Sequence, residues 1–245
     1  MSKFYYDLHI HSCLSPCADD ESTPDSIAGM GELNELDIMA LTDHNSCKNT
    51  PAFFKAAERH GIVPVAGMEL TTAEDIHLVC LFEFLSDALS FDSELEKRKI
   101  PYKNKSEIFG NQIICDENDE QIGIEENLLI NATALSIDEA FELCEKFNGV
   151  CYPAHIDRES NGIIAILGAF PESPAFRFAE LHNGELLEQY SEKTGIPKEN
   201  FLVSSDAHHL WDIKERADYI ELGFDGEKNA EQIRKRLFEF LRGEK

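Results

Sequence analysis

The chain has 245 residues, 42% hydrophobic and 28% charged, which suits a globular protein with one sizeable core, and no apolar run is long enough to span a bilayer. A formal net charge of −25, from 22 basic and 47 acidic side chains, argues against a broad basic surface that tracks long duplex nucleic acid, because such binding neutralises phosphates with Lys and Arg. With no membrane partner and no apolar leader between Met1 and the strand-like start of the chain, a cytoplasmic location is expected.

A strand is predicted over 3–10, where aromatic and β-favouring residues dominate. Thr23-Pro24 reads as an N-cap followed by proline and opens a helix to about residue 35; Thr50-Pro51 repeats the device before a helix that ends at His60-Gly61. Strands over 37–41, 62–66 and 77–82 alternate with these helices, the signature of βαβ units and a parallel sheet, open or closed into a barrel. Over 86–130 the pattern weakens. A charged helix-like piece at 94–99 and an acidic, Asn-rich turn at 116–120 read as an insertion over one end of a single domain covering 1–245. Ser136 with Glu139 three residues on forms a capping box for a helix that runs to Gly149. Strands over 150–154, 178–181 and 201–204 follow, and a last amphipathic helix spans 230–242.

The seven cysteines, at 13, 17, 47, 80, 115, 144 and 151, are odd in number and not clustered into a framework, so they read as reduced thiols. Cys13, Cys17 and Cys47 lie beside histidine motifs, where a soft metal ligand is the alternative reading.

Polar metal-binding side chains recur where short apolar strands end. His9 and His11 end the first strand, Asp43 and His44 the second, and Glu69 follows the third. His77 borders the fourth, His155 follows Tyr152-Pro153-Ala154, and Asp206 and His208 close the last. A His-x-His pair in a strand points both rings to one face, so one element can supply two donors to an ion. Alone, such a pair is more often packing than a ligand pair; its recurrence at Asp206-x-His208 favours a metal site. A parallel barrel brings the C-terminal ends of its strands to one mouth, where these groups would meet. Imidazole and carboxylate donors suit zinc, manganese or iron better than magnesium.

Asp7-Leu8-His9-Ile10-His11-Ser12, Leu41-Thr42-Asp43-His44-Asn45, Pro153-Ala154-His155 and Ser205-Asp206-Ala207-His208 resemble, in order, the four motifs of the PHP (polymerase and histidinol phosphatase) family. Gly67-Met68-Glu69 and Ile76-His77 resemble its intervening glutamate and histidine. The resemblance implies a distorted seven-stranded (β/α)7 TIM-like barrel with two or three divalent ions. It further implies that His9, His11, Glu69 and Asp206 hold one ion, and that Glu69 bridges to a second held also by His77 and His155. A third would take His44, His208 and an acid of the first loop, Asp19 or alternatively Asp20.

The expected activity is hydrolysis of a phosphomonoester or small phosphodiester, such as a nucleotide, short oligonucleotide or sugar phosphate. A hydroxide bridging two ions about 3.5 to 4 Å apart would be the nucleophile. His44 or His208 could protonate the leaving group. Arg158 could grip a substrate phosphate or pair with Asp157 or Glu159 at the surface. His182 is a candidate substrate contact, while His60 and His209 read as structural. A metal-dependent amidohydrolase is the alternative enzyme class, although no lysine sits where a metal-bridging one belongs, Lys48 lying beyond His44. A non-catalytic metal-bound scaffold is the third reading.

Overall fold

The computed structural model describes residues 2–224 and 229–244. Strands β1 (Ser2–Ile10), β2 (Ile38–Leu41) and β3 (Val63–Thr71) run parallel, joined by helices α1 (Pro24–Leu33) and α2 (Thr50–Arg59), as a crossover between parallel neighbours requires. Ile27 and Ala28 of α1 and Phe53, Ala56 and Ala57 of α2 bury against Met39 and Leu41. Every residue of β3 is buried, the signature of a strand covered on both faces.

The alternation breaks at the next strand. Only residues 72–76 separate β3 from β4 (His77–Phe82), too few for a crossover, so the two pair antiparallel from Ala66↔Phe82 to Thr71↔His77. Helix α3 (Leu85–Leu95), a short helix α4 (Ser106–Phe109), the hairpin β5 (Ile113–Cys115) and β6 (Gln121–Ile124), and α5 (Ile137–Lys146) lead to β7 (Val150–Pro153), which pairs antiparallel with β4. After α6 (Ile163–Leu167) come β8 (Ala179–Leu181), α7 (Leu187–Thr194), β9 (Phe201–Val203), β10 (Tyr219–Leu222) and α8 (Ala230–Arg242).

The main sheet therefore has six strands in the order β10-β1-β2-β3-β4-β7, and β8-β9 form a separate parallel pair. That pair meets the main sheet through the Ile10↔Ala207 bridge and the Ile156 amide donating to the Glu180 carbonyl at 2.9 Å. The fold is mixed α/β with a curled sheet, and regular alternation around a seven-stranded (β/α)7 barrel is not what its ladders show. The short β3–β4 link imposes one departure. The other is β10, which sequence reading passes over: its alternating burial seats Ile220 and Leu222 against α8 and it lies antiparallel on the free edge of β1.

Two local expectations need correction. Helix α3 buries Ala88, Phe91 and Leu95 in the main core, so it belongs to the domain body and the insertion begins after it. The Thr23 side chain makes no cap; instead Asp119, from the turn of the β5–β6 hairpin, accepts from the Asp25 amide at 2.9 Å and from the Thr23 hydroxyl at 2.5 Å. Asn49 likewise accepts from the Cys115 amide at 2.9 Å and donates to the Ile113 carbonyl at 3.0 Å. The capping box of Ser136 and Glu139 forms as expected.

The insertion is thus fastened to the starts of both early helices. Gly110 sits at φ +101° with its α-carbon against Pro16, where a Cβ would lie 1.9 Å from the Pro16 carbonyl oxygen; no other residue fits there without displacing the loop that follows His11. An Asp119→Ala protein should lose about 1 to 2 kcal/mol of stability, as for a lost N-cap. Urea unfolding measures that loss, and hydrogen exchange should show 113–124 opening first.

Candidate metal centre

Alternation along β1 turns His9 and His11 to the same side, and their Nε2 atoms lie 3.2 Å apart. Each ring is aimed by its other nitrogen: His9 Nδ1 is 2.8 Å from Glu180 Oε1, and His11 Nδ1 is 3.0 Å from Ser15 Oγ. Glu69, from the buried strand β3, faces five imidazoles. Its Oε1 lies 3.2 Å from His9, 2.9 Å from His77 and 3.0 Å from His155, and its Oε2 lies 3.3 Å from His11 and 3.0 Å from His44. Asp206 Oδ1 closes the group, 3.3 Å from His9 Nε2 and 3.1 Å from His11 Nε2.

Among the described residues three sets of histidine and carboxylate donors have ligand atoms within 4.8 Å of one another: His9, His11, Glu69 and Asp206; His44, Glu69 and His77; and His11, His44 and His208; a fourth set, the buried thiols Cys80, Cys144 and Cys151, shares no residue with them. Donors held about 2.1 Å from one ion lie roughly 3 Å apart, the spacing seen in the first set. At the edge of the cluster the buried His155 Nδ1 and Glu180 Oε2 have no hydrogen-bond partner among the described residues, while His44 Nδ1 and Glu69 Oε2 rely on each other at 3.0 Å, a set of buried polar atoms that a cation would satisfy. The residues therefore fit divalent ions. His155, expected beside His77 on the second ion, lies 3.0 Å from Glu69 but outside these donor sets, where His44 stands instead, and its ring stacks on that of His9 at 5.9 Å.

Asp19 is placed differently. Its carboxylate accepts from the Glu21 amide at 3.0 Å and faces His209 Nδ1 at 3.5 Å, while Asp20 accepts from Asn111 at 2.7 Å. Neither belongs to the three donor sets; a hydrogen bond from the Asp19 amide to the His208 carbonyl, 2.9 Å, keeps the loop close. All seven cysteines are free thiols, and none joins the histidine clusters.

Arg158 bridges the site and its rim. Its guanidinium pairs with Asp206 Oδ2 and reaches His182 Nδ1 at 3.0 Å, so the surface pairing with Asp157 or Glu159 does not form. Asp157 instead accepts from the backbone amides of His182 and Asn183 at 2.9 and 2.8 Å. His60 pairs with Glu32 at 2.6 Å, away from the centre.

Two supporting acids escaped the sequence-based ligand set. Glu180 orients His9 and accepts from the His155 amide at 3.2 Å; its one signal was its place two residues before His182 in a strand. Asp43 is fully buried and accepts from the Ser12 amide, the Ser12 hydroxyl and the Ser15 hydroxyl, each at 2.7 Å. It thereby fixes the loop that carries His11 and the hydroxyl behind its ring. His155 and Asp206 hold left-handed backbone at φ 27° and 53°, a strain that surrounding contacts must sustain.

The electrostatics divide the rings. Burial alone would lower His9, but Glu180, Glu69 and Asp206 raise it well above the usual histidine range, and the acids Asp206 and Glu69 lift His11 to about 9 against the same penalty. Burial and the charge on His11 instead push His44 down to about 3 and His208 down to about 4. Burial opposes ionisation of Glu69 and Asp206, yet the surrounding imidazoles hold both below the normal carboxylate range. Protons on His9 and His11 thus balance buried negative charge.

An α/β scaffold with clustered imidazole and carboxylate donors defines a class of metal-dependent hydrolases. The family model described as the PHP domain matches residues 7–241, and the chain belongs to that family. An error-prone DNA polymerase of Symbiobacterium thermophilum is 36% identical over 74 residues, 30% of this chain and 7% of the polymerase. The lesion-specific endonuclease Q of Pyrococcus furiosus superposes with TM-score 0.64 at 16% identity, over 99% of this chain and 56% of the endonuclease. A complex of endonuclease Q with a 27-mer duplex bearing an abasic lesion at its active site superposes at TM-score 0.60 and 16% identity, over 99% of this chain and 57% of that one. This chain spans less than two thirds of each. The endonuclease complex overturns the exclusion of duplex nucleic acid: a protein of similar fold takes a duplex substrate, and net charge, a sum over the whole surface, does not report the field at one cleft.

Ion uptake should release protons, because His9 and His11 must give theirs up to become donors. Apparent affinity should rise with pH through about 9, where His11 becomes neutral without an ion, with His9, also raised, adding to the rise. Calorimetry in buffers of different ionisation enthalpy measures the release. Glu180→Gln should weaken binding of manganese or zinc about 10- to 100-fold while leaving the fold intact by circular dichroism.

Proposed function

We propose that this chain hydrolyses phosphoesters of nucleic acid or nucleotides, using two or three divalent ions of zinc, manganese or iron. Bound ions supply Lewis acidity toward the phosphoryl oxygens and lower the pKa of water. The observation that carries the reading is Arg158: a guanidinium, 37% exposed in its side chain, fixed between Asp206 and His182 at the edge of the donor cluster. A planar fork there suits the oxygens of a phosphoryl group.

His9, His11, Glu69, Asp206, His77, His155, His44 and His208 are the side chains we assign to holding the ions. His44 and His208, kept neutral near pH 7, serve as nitrogen donors. His208, a quarter exposed in its side chain, is the group we assign to protonating the leaving oxygen when the third position is empty, because an arriving phosphate's negative charge raises its pKa. His182, held by Arg158, orients that fork. The amidohydrolase reading needs a metal-bridging lysine, and Lys48 is engaged instead with Glu125 and Glu96.

After reconstitution with manganese, zinc or iron, the protein should hydrolyse bis-p-nitrophenyl phosphate or oligonucleotides and leave amide substrates intact. His9→Ala and Asp206→Ala should reduce kcat by on the order of a thousandfold or more, since each removes a donor from the first set. Arg158→Ala should raise KM roughly tenfold or more, with Arg158→Lys recovering part of it. Amide hydrolysis, or inactivity with all three metals, would replace this reading with the amidohydrolase or the scaffold.

A further inference from the structure

Three residues beyond His208 the chain exposes its one tryptophan. Trp211 is 71% exposed, and its ring stacks on that of His209 with centroids 4.7 Å apart and planes inclined by 5°. His209 is backed by Asp19, whose carboxylate lies 3.5 Å from its Nδ1. The turn Leu210–Asp212 is anchored on both sides: Leu210 packs on the core, Ile213 is buried in it, and Asn34 donates to the Ile213 carbonyl at 2.8 Å. A large aromatic side chain is thus held outward on a fixed turn.

The location gives the ring its meaning. His208 belongs to the donor set with His11 and His44, and at about 3.8 Å per residue the Trp211 α-carbon lies within roughly 11 Å of the His208 α-carbon. That is a reach of roughly one or two nucleotides from a phosphate at the centre. The neighbouring acids Asp19 and Asp212 do not favour a phosphate at this turn. An aromatic face attracts by stacking, which every base can satisfy and which needs no positive charge. Beside the phosphate contacts assigned to Arg158 and the ions, stacking on this turn adds affinity that does not depend on counterion release.

We propose that Trp211, preorganised on His209, is a nucleobase platform that receives the base flanking the scissile phosphate, whether from a single strand, a duplex end or a base displaced from a duplex. This rests on the phosphoester-hydrolase reading and narrows its substrate class to base-bearing phosphoesters.

Because Trp211 is the sole tryptophan, its fluorescence reports the contact without any variant. The metal-loaded protein is titrated with a phosphorothioate hexathymidylate, which resists hydrolysis, and with a baseless hexamer of tetrahydrofuran phosphates of equal charge. The base-bearing oligomer should quench the fluorescence and bind on the order of 10- to 100-fold tighter than the baseless one. Its binding should lose no more than one phosphate's worth of salt dependence, a log–log slope no steeper than about −0.7. Trp211→Ala should bring the hexathymidylate down to the affinity of the baseless oligomer, and Trp211→Phe should restore most of the difference. Equal affinity of the two oligomers, or binding without quenching, overturns the platform. Hydrolysis of bis-p-nitrophenyl phosphate by the unaltered protein is scored separately: its presence alongside unquenched binding defeats the platform alone, and its absence defeats the hydrolase reading.

Discussion

Glu69 places one buried carboxylate among five imidazoles, and most of the site's construction follows from satisfying it. A fully buried carboxylate is costly unless paired. Here the balance is struck by His9, His11, His44, His77 and His155, drawn from four separate stretches of chain. With Asp206 and Glu180 added, acids outnumber what neutral rings can offset, so cations are required. Protons supply them in part when His9 and His11 are charged, and divalent ions supply them better, with more charge and fixed geometry.

The supporting structure exists to hold those groups at near-contact distance against their own repulsion. Glu69 rides on a strand buried along its whole length, where the pleat leaves little freedom. Asp43 ties Ser12 and Ser15 beneath His11, and Asp7 accepts from the Ser205 amide at 3.1 Å, which links the first ligand strand to the loop carrying Asp206. The left-handed backbone of His155 and Asp206, and of Asn45 beside His44, places strain where the chain leaves a strand and turns a side chain into the cluster.

Much of this was legible beforehand. Strand ends bearing His9, His11, Glu69, His77, His155, Asp206 and His208 gave the site, because period-two alternation and apolar runs are local signals. Strand direction was not legible in the same way. That β4 runs antiparallel depends on a five-residue link read against the three-dimensional sheet, and β10 is too short and half exposed to stand out. Glu180 escaped because its role is to hold another side chain, and no spacing in the chain marks such a partner. Asp19 was placed by analogy of spacing, but in this loop Pro16 packs against Gly110 and the carboxylate turns to His209.

The insertion and the acidic surface fit together once the field is treated as local. The hairpin is fastened through Asp119 to α1 and through Asn49 to α2, and Asn45, one residue past His44, donates to the Leu129 carbonyl at 2.7 Å. It is therefore tied to the helices and the loop that follow the ligand residues of β1 and β2. Repulsion from the remote acids is screened over about 10 Å at ordinary ionic strength, whereas a phosphate inside the cleft meets a guanidinium and, once loaded, several divalent charges at contact distance. A net charge of −25 is then compatible with a phosphate held at one point of the surface, because the charge that decides binding is the charge within a Debye length of it.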